Sequence, residues 1–133
     1  MKKVIVTGAN GFVGSALVKE LVKNDVEVLA MDMPGCNGNL PVCDKVKFLP
    51  LALDNISTLK DLINDRDFDC FYHFAWAGSA GAARADTKLQ LQNALLIACV
   101  LLKKLAAKNL LQQAASWNTK QWQPLLHLAI NRD

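Results

Sequence analysis

Short β-branched runs and helical apolar stripes alternate along this chain. Val4, Ile5 and Val6 are consecutive β-branched residues, the pattern of a strand covered on both faces. Glycines follow at Gly8, Gly11 and Gly14, and apolar positions return at helical spacing at Ala16, Leu17, Leu21 and Val22. Val26 to Met31 predicts a second strand ending at Asp32, and Val46 to Leu49 a third, with a glycine- and proline-bearing loop from Pro34 to Asp44 between them. Ser57, as a cap, and Asp61 mark the start of a helix through Leu59, Leu62 and Ile63. Asp69 to Ala75 reads as the fourth strand, and Thr87 to Lys108 as a long helix whose apolar residues, from Leu89 to Leu105, cover more than one face.

Strands alternating with helices predict an α/β fold with a doubly wound parallel sheet and helices on both sides. Right-handed crossovers put the strands in the order 3-2-1-4, with a ligand site at the carboxyl ends of strands one and four. The turn after the first strand reads as a phosphate cradle. Gly8 takes the tight turn, Gly11 leaves the approach of a pyrophosphate clear, and Gly14 lets the helix pack close to the strand. The free N–H groups and positive dipole end of that helix then face the anion. A glycine triplet also marks ordinary strand-to-helix loops, but Asp32 stands about where an acid grips a ribose diol.

The spacing Thr7-Gly8-x-x-Gly11-x-x-Gly14 resembles that of the extended short-chain dehydrogenase/reductase superfamily, the nucleotide-sugar epimerases and dehydratases. The resemblance covers residues 1 to about 109 and implies a Rossmann domain that binds NAD. On it, Gly8, Asn10, Gly11, Phe12, Val13 and Gly14 surround the cofactor, Asp32 meets its ribose and Asp54 its adenine edge. Ala75, Trp76 and Ala77 belong to the stretch His73 to Gly78, which is similar to the family's small-residue motif beside the cofactor ribose. Asn93 falls where the family carries a structural or active-site asparagine. The resemblance further implies a nucleotide-sugar substrate for the whole protein, and a second subunit packed on the 87–108 helix as a homo-oligomer; a deeply buried core helix is the alternative. Asp32 and the absence of a cation at Met33, Pro34 and Gly35 favour NAD over NADP.

The pattern then breaks. The family's fifth strand with its serine or threonine, and its Tyr-x-x-x-Lys pair, have no counterpart: the single tyrosine, Tyr72, is followed at the fourth position by Trp76. Residues 110–133 contain no β-branched run, so the fourth strand is expected to keep an unpaired outer edge. That predicts self-association, or a tail folding back through Trp117, Trp122, Leu125, Leu126 and Ile130. Read in a shifted frame, codons compatible with Gln113 through Trp122 allow a string similar to the family's serine-bearing strand end. Residues 1–109 are therefore taken as a partial NAD-binding domain and 110–133 as an atypical tail, frame-shifted or truncated, with a natural short protein or an unrelated splice as the alternatives. Three functions compete: an NAD-dependent oxidoreductase acting on a sugar nucleotide, a nucleotide-binding module without turnover, and an inactive fragment.

Composition adds boundaries. At 133 residues, 52% hydrophobic and 20% charged, the chain is one globular domain. A net charge of +3 without a Lys/Arg run gives no nucleic-acid footprint, and Lys2 and Lys3 read as flanking a strand. The longest apolar stretch, Ala94 to Leu102, is too short for a membrane span, and a cytoplasmic location is expected. Cys36, Cys43, Cys70 and Cys99 show no metal-binding spacing; Cys70 and Cys99 read as core residues, Cys36 and Cys43 as free loop thiols. His73 reads as a structural hydrogen-bonded group sooner than a ligand holder, Trp76 as lining the nucleotide or closing the core. Ser79 reads as a loop residue, and Arg84 and Lys88 as solvated helix-start positions.

Overall fold

The computed structural model describes residues 1–65, 67–76, 86–91 and 109–112. Five strands, β1 (Lys3–Thr7), β2 (Glu27–Asp32), β3 (Val46–Pro50), β4 (Cys70–His73) and β5 (Asn109–Gln112), form one sheet in the order β3-β2-β1-β4-β5. Every pairing is parallel. Register aligns Ile5 with Leu29 on one side and Phe71 on the other, and Val6 with Ala30 and Tyr72. Because side chains alternate along a strand, the central strands divide their residues between two cores.

One core joins Val4, Val6, Val28, Ala30, Cys70 and Tyr72 to Leu17, Val18 and Leu21 of helix α1 (Phe12–Lys23). The stripe of α1 that faces the sheet also holds Gly14 and Ser15, while Ala16 points to solvent. The opposite core joins Ile5, Leu29, Met31 and Phe71 to Leu51, Leu59, Ile63 and Phe68. Thus the sheet is covered on both sides, as near-continuous apolar runs in β1 and β2 require.

Three expectations are corrected. The helix expected from Ser57 is a 3-10 turn, Leu53–Thr58, followed by the single-turn helix α2 (Leu59–Leu62). No side chain caps α2; the Thr58 hydroxyl instead donates to the Asn55 carbonyl. Leu59 and Ile63 are buried but Leu62 is 50% exposed. The next helical positions after Ile63 would be Arg66 and Asp67, so no apolar stripe remains to extend the helix over the sheet. Secondly, β4 begins after Asp69 and ends at His73, short of Ala75: the Asp69 carboxylate accepts the Lys2 and Lys3 N–H groups below the strand, and the Ala75 N–H turns onto the Thr7 hydroxyl above it.

Thirdly, the outer edge of β4 is paired. Asn109 to Gln112 lie alongside Cys70 to His73 in parallel register, although the segment has no β-branched residue. Strand preference depends on context, and an unpaired edge is itself a template for backbone pairing. The first tail residues, Leu110 to Gln112, therefore belong to the sheet. Lys3 lies within β1, where its ammonium stands 5.3 Å from the Phe68 ring centre and pairs with Asp65. Of the long 87–108 helix, α3 (Thr87–Leu91) is described, its Leu89 N–H capped by the Asp86 carboxylate at 3.0 Å. Residues 92–108, with Asn93 and Cys99, and residues 113–133, with Trp117, Trp122, Leu125, Leu126 and Ile130, lie outside the described residues.

The single turn of α2 makes neighbouring leucines unequal. Leu59→Ala should cost about 2–5 kcal/mol of stability, whereas Leu62→Ala should change it by only about 0.5 kcal/mol. Urea unfolding of the two variants checks the difference.

Candidate functional site

The polar features of the fold converge where β1, β2 and β4 end. After Thr7 the chain enters the left-handed region at Gly8, with φ +65°. A Cβ there would stand 2.7 Å from the Ala75 nitrogen and 2.8 Å from the Phe74 carbonyl carbon. Gly8 is thus required both by its dihedral and by the backbone leaving β4. A Cβ on Gly14 would fall 2.1 Å from the Gly8 oxygen and 2.9 Å from the Ala9 Cα. The close approach expected between helix and strand is made on the loop at the strand's end.

Gly11 caps α1 with an extended backbone, φ −65° and ψ 172°, and without a side-chain bond. Among the described residues, a Cβ there would meet only the Gly8 oxygen, at 3.1 Å. The first turn of α1 carries no acidic residue, and the leading N–H groups of a helix have no partners within it. This gives a site favourable to an anion. Phe12 is 78% exposed at its rim and Val13 half-buried.

Asp32 closes the other side. Its Oδ2 accepts the Asn10 N–H at 2.8 Å and its Oδ1 accepts the Met33 N–H at 2.8 Å. An ionised carboxylate offers about four acceptor directions, so two bonds leave capacity for a diol. Asn10 also meets Asn39: the Asn39 N–H donates to Asn10 Oδ1 at 2.7 Å, and Asn39 Nδ2 donates to the Asn10 carbonyl at 2.9 Å.

Beneath the loop, Thr7 and His73 are both buried, with Thr7 Oγ1 2.6 Å from His73 Nδ1. The His73 ring stacks on Phe71 with ring centres 5.9 Å apart. His73 therefore serves as a structural hydrogen-bonded group, tying β1 to β4. Tyr72 is buried beside it, its hydroxyl 3.7 Å from the Met1 sulfur. Burial pushes the Tyr72 phenol well above its ordinary pKa and also raises the Cys70 thiol.

The structure gathers Gly8, Asn10, Gly11, Phe12, Val13, Gly14 and Asp32 around one loop. Ala75 and Trp76 are half-buried on the chain leaving β4. Asp54 is exposed in the 3-10 turn after β3, and Lys88 is exposed on α3. Ala77, Gly78, Ser79 and Arg84 lie outside the described residues. Asn39 and Thr7 bond at this loop although sequence reading leaves both without a role; a turn-forming asparagine in a glycine-bearing loop is the signal for the first. Cys36, Cys43 and Cys70 are free thiols. Among the described residues no cluster of metal-ligating side chains occurs, and no helix is long and apolar enough to cross a membrane.

The profile of the NAD dependent epimerase/dehydratase family matches residues 4–119. A UDP-glucose 4-epimerase of Lactobacillus helveticus is 33% identical over 73 residues, 55% of this chain and 22% of the relative. An epimerase of Methanothermobacter thermautotrophicus has a similar structure, with TM-score 0.67 and 27% identity over 84% of this chain and 34% of its own. The UDP-glucose 4-epimerase of Thermus thermophilus, solved in complex with NAD, gives TM-score 0.57 and 26% identity over 77% of this chain and 33% of its own. The chain thus spans between about a fifth and a third of the length of these relatives.

The close approaches rank the glycines. Gly35 has φ +82° with open space around it, so Gly35→Ala should cost only the left-handed penalty of about 1–2 kcal/mol. Gly8→Ala adds a backbone clash and should cost about 1–3 kcal/mol more. Thermal unfolding of the two variants checks the order.

Proposed function

Since the chain belongs to the NAD dependent epimerase/dehydratase family, we propose that its glycine loop binds NAD as the cofactor-holding part of a nucleotide-sugar epimerase or dehydratase. The observation that carries this is the shape of the loop. Gly8 and Gly14 are fixed by backbone contacts, while Gly11 and a start of α1 that no side chain caps stand next to Asn10, whose N–H the Asp32 carboxylate accepts. In this proposal the pyrophosphate lies against Gly11, Phe12, Val13 and Gly14, and the adenosine ribose against Asp32. Asp54 meets the adenine edge, and Ala75, Trp76 and Ala77 border the cofactor on the β4 side.

Bound NAD would accept a hydride from the carbon that bears a sugar hydroxyl. In this proposal the chain's own residues hold the cofactor, and among the described residues the family's tyrosine has no counterpart to move the accompanying proton. Tyr72 is the single tyrosine of the sequence, and it is buried with its phenol pKa raised. Neutral water leaves such a phenol protonated and out of reach of a substrate. We therefore propose nucleotide binding without turnover by these 133 residues, with nucleotide-sugar binding and chemistry a property of a longer protein. We further propose that residues 1–109 form the NAD-binding portion, that 110–133 are an atypical tail whose first residues pair in β5, that the 87–108 helix mediates a homo-oligomer, and that the setting is the cytoplasm.

Calorimetric titration tests the cofactor. NAD should bind more tightly than NADP, because Asp32 repels a 2′-phosphate. Gly11→Val should abolish measurable NAD binding with the sheet intact by circular dichroism. Asp32→Ala should weaken NAD and narrow its advantage over NADP. Absence of NAD binding by the unaltered chain would overturn the proposal.

A further inference from the structure

We propose that Asn39 is a positioning residue for the adenosine half of the cofactor, acting through Asn10 from a different loop. This rests on the cofactor proposal above. The chain between β2 and β3 folds into two turns, with the Cys36 N–H bonded to the Met33 carbonyl and the Leu40 N–H to the Asn37 carbonyl. Asn39 sits in the second turn. Leu40, next to it, is partly buried against the core that Val46 and Phe48 share with α1. That anchor brings Asn39 to the glycine loop, where it makes a two-point amide contact with Asn10.

The contact controls a particular peptide plane. The Asn10 carbonyl and the Gly11 N–H belong to one planar unit. Its oxygen is held by Asn39 Nδ2 at 2.9 Å, and its N–H is bonded to the Gly8 carbonyl at 3.1 Å. The preceding peptide is held through the Asn10 N–H by Asp32. Asn10 is therefore fixed from two sides, by the proposed ribose acid and by Asn39. Released from Asn39, the Asn10–Gly11 plane loses one of its two anchors, and the start of α1 is held less firmly relative to Asp32. Asn39 is exposed, so water compensates its loss in the folded chain. The cost then falls on ligand binding, where preorganisation of the loop counts.

The test uses the 133-residue chain and titration with ADP-ribose and with NAD. Asn39→Ala should weaken both ligands to the same degree, by about tenfold, because the effect lies on the adenosine side. Asn37→Ala, in the same turn, should bind as the unaltered chain does. Asn10→Ala removes the acceptor of the Asn39 N–H but leaves the carbonyl that Asn39 Nδ2 holds, so it should weaken both ligands less than Asn39→Ala does, and the double variant should bind no more tightly than Asn39→Ala. Hydrogen exchange at the Asn39 amide should be slowed in the unaltered chain and fast in Asn10→Ala, which checks the contact without ligand. Unchanged affinities in Asn39→Ala, or a loss for NAD that ADP-ribose does not share, would overturn the role of Asn39 and leave the cofactor proposal standing. Failure of the unaltered chain to bind either ligand would overturn both.

Discussion

At the carboxyl edge of the sheet, backbone rests directly on backbone. The Gly8 carbonyl lies where a Cβ on Gly14 would stand only 2.1 Å away, and the Gly8 Cα faces the chain leaving β4 with room for hydrogen alone. These approaches join three elements at one point: β1 ends there, α1 starts there and β4 exits there. Interiors packed at crystal-like density transmit small displacements, so the position of the α1 start relative to Asp32 follows from them. The Thr7–His73 bond beneath, 2.6 Å long and fully enclosed, fixes the same two strand ends from inside the core.

Much of this was legible in the sequence. The strands β1 to β4 announce themselves through runs such as Val4 to Val6, because a sheet covered on both faces needs apolar residues on both. The glycine loop is legible because Gly8, Gly11 and Gly14 are spaced by steric need, and Asp32 because it ends the next strand. The α2 region was misjudged since Leu62 completes an apolar triplet whose neighbours alone reach the sheet. β5 escaped notice because its pairing comes from the open edge of β4 and leaves no signature in Leu110 and Leu111. Contacts such as Asn10 with Asn39 join residues far apart in the chain through short polar side chains, and periodicity carries no record of them.

Around the glycine loop, outward polar groups and buried titratable ones are segregated. The groups that line the glycine loop are mostly backbone N–H and a carboxylate already engaged by two N–H donors, which recognise charge and shape. The titratable side chains nearby, His73 and Tyr72, are inside the core. A phenol whose ionisation is opposed by burial and an imidazole held by a hydroxyl contribute to cohesion of β4, and neither reaches the outer face of the loop.

The order in which strands meet has a consequence for how the loop comes into being. β1 pairs with β2 through the compact unit that includes α1, Lys3 opposite Glu27, whereas Thr7 and His73 are 66 residues apart. Loop-closure entropy rises only by about 0.6 kcal/mol per doubling of length, so the difference matters little to the finished fold, but distant parallel pairing is slow to form. The turn at Gly8 can be drawn early by β1 and α1; its far wall, Phe74 and Ala75, arrives only when β4 docks. A ligand that needs both walls has affinity for the completed sheet and none for the partly assembled chain. By mass action such a ligand would draw the population toward the docked state, and its concentration would then set how much of the chain is folded.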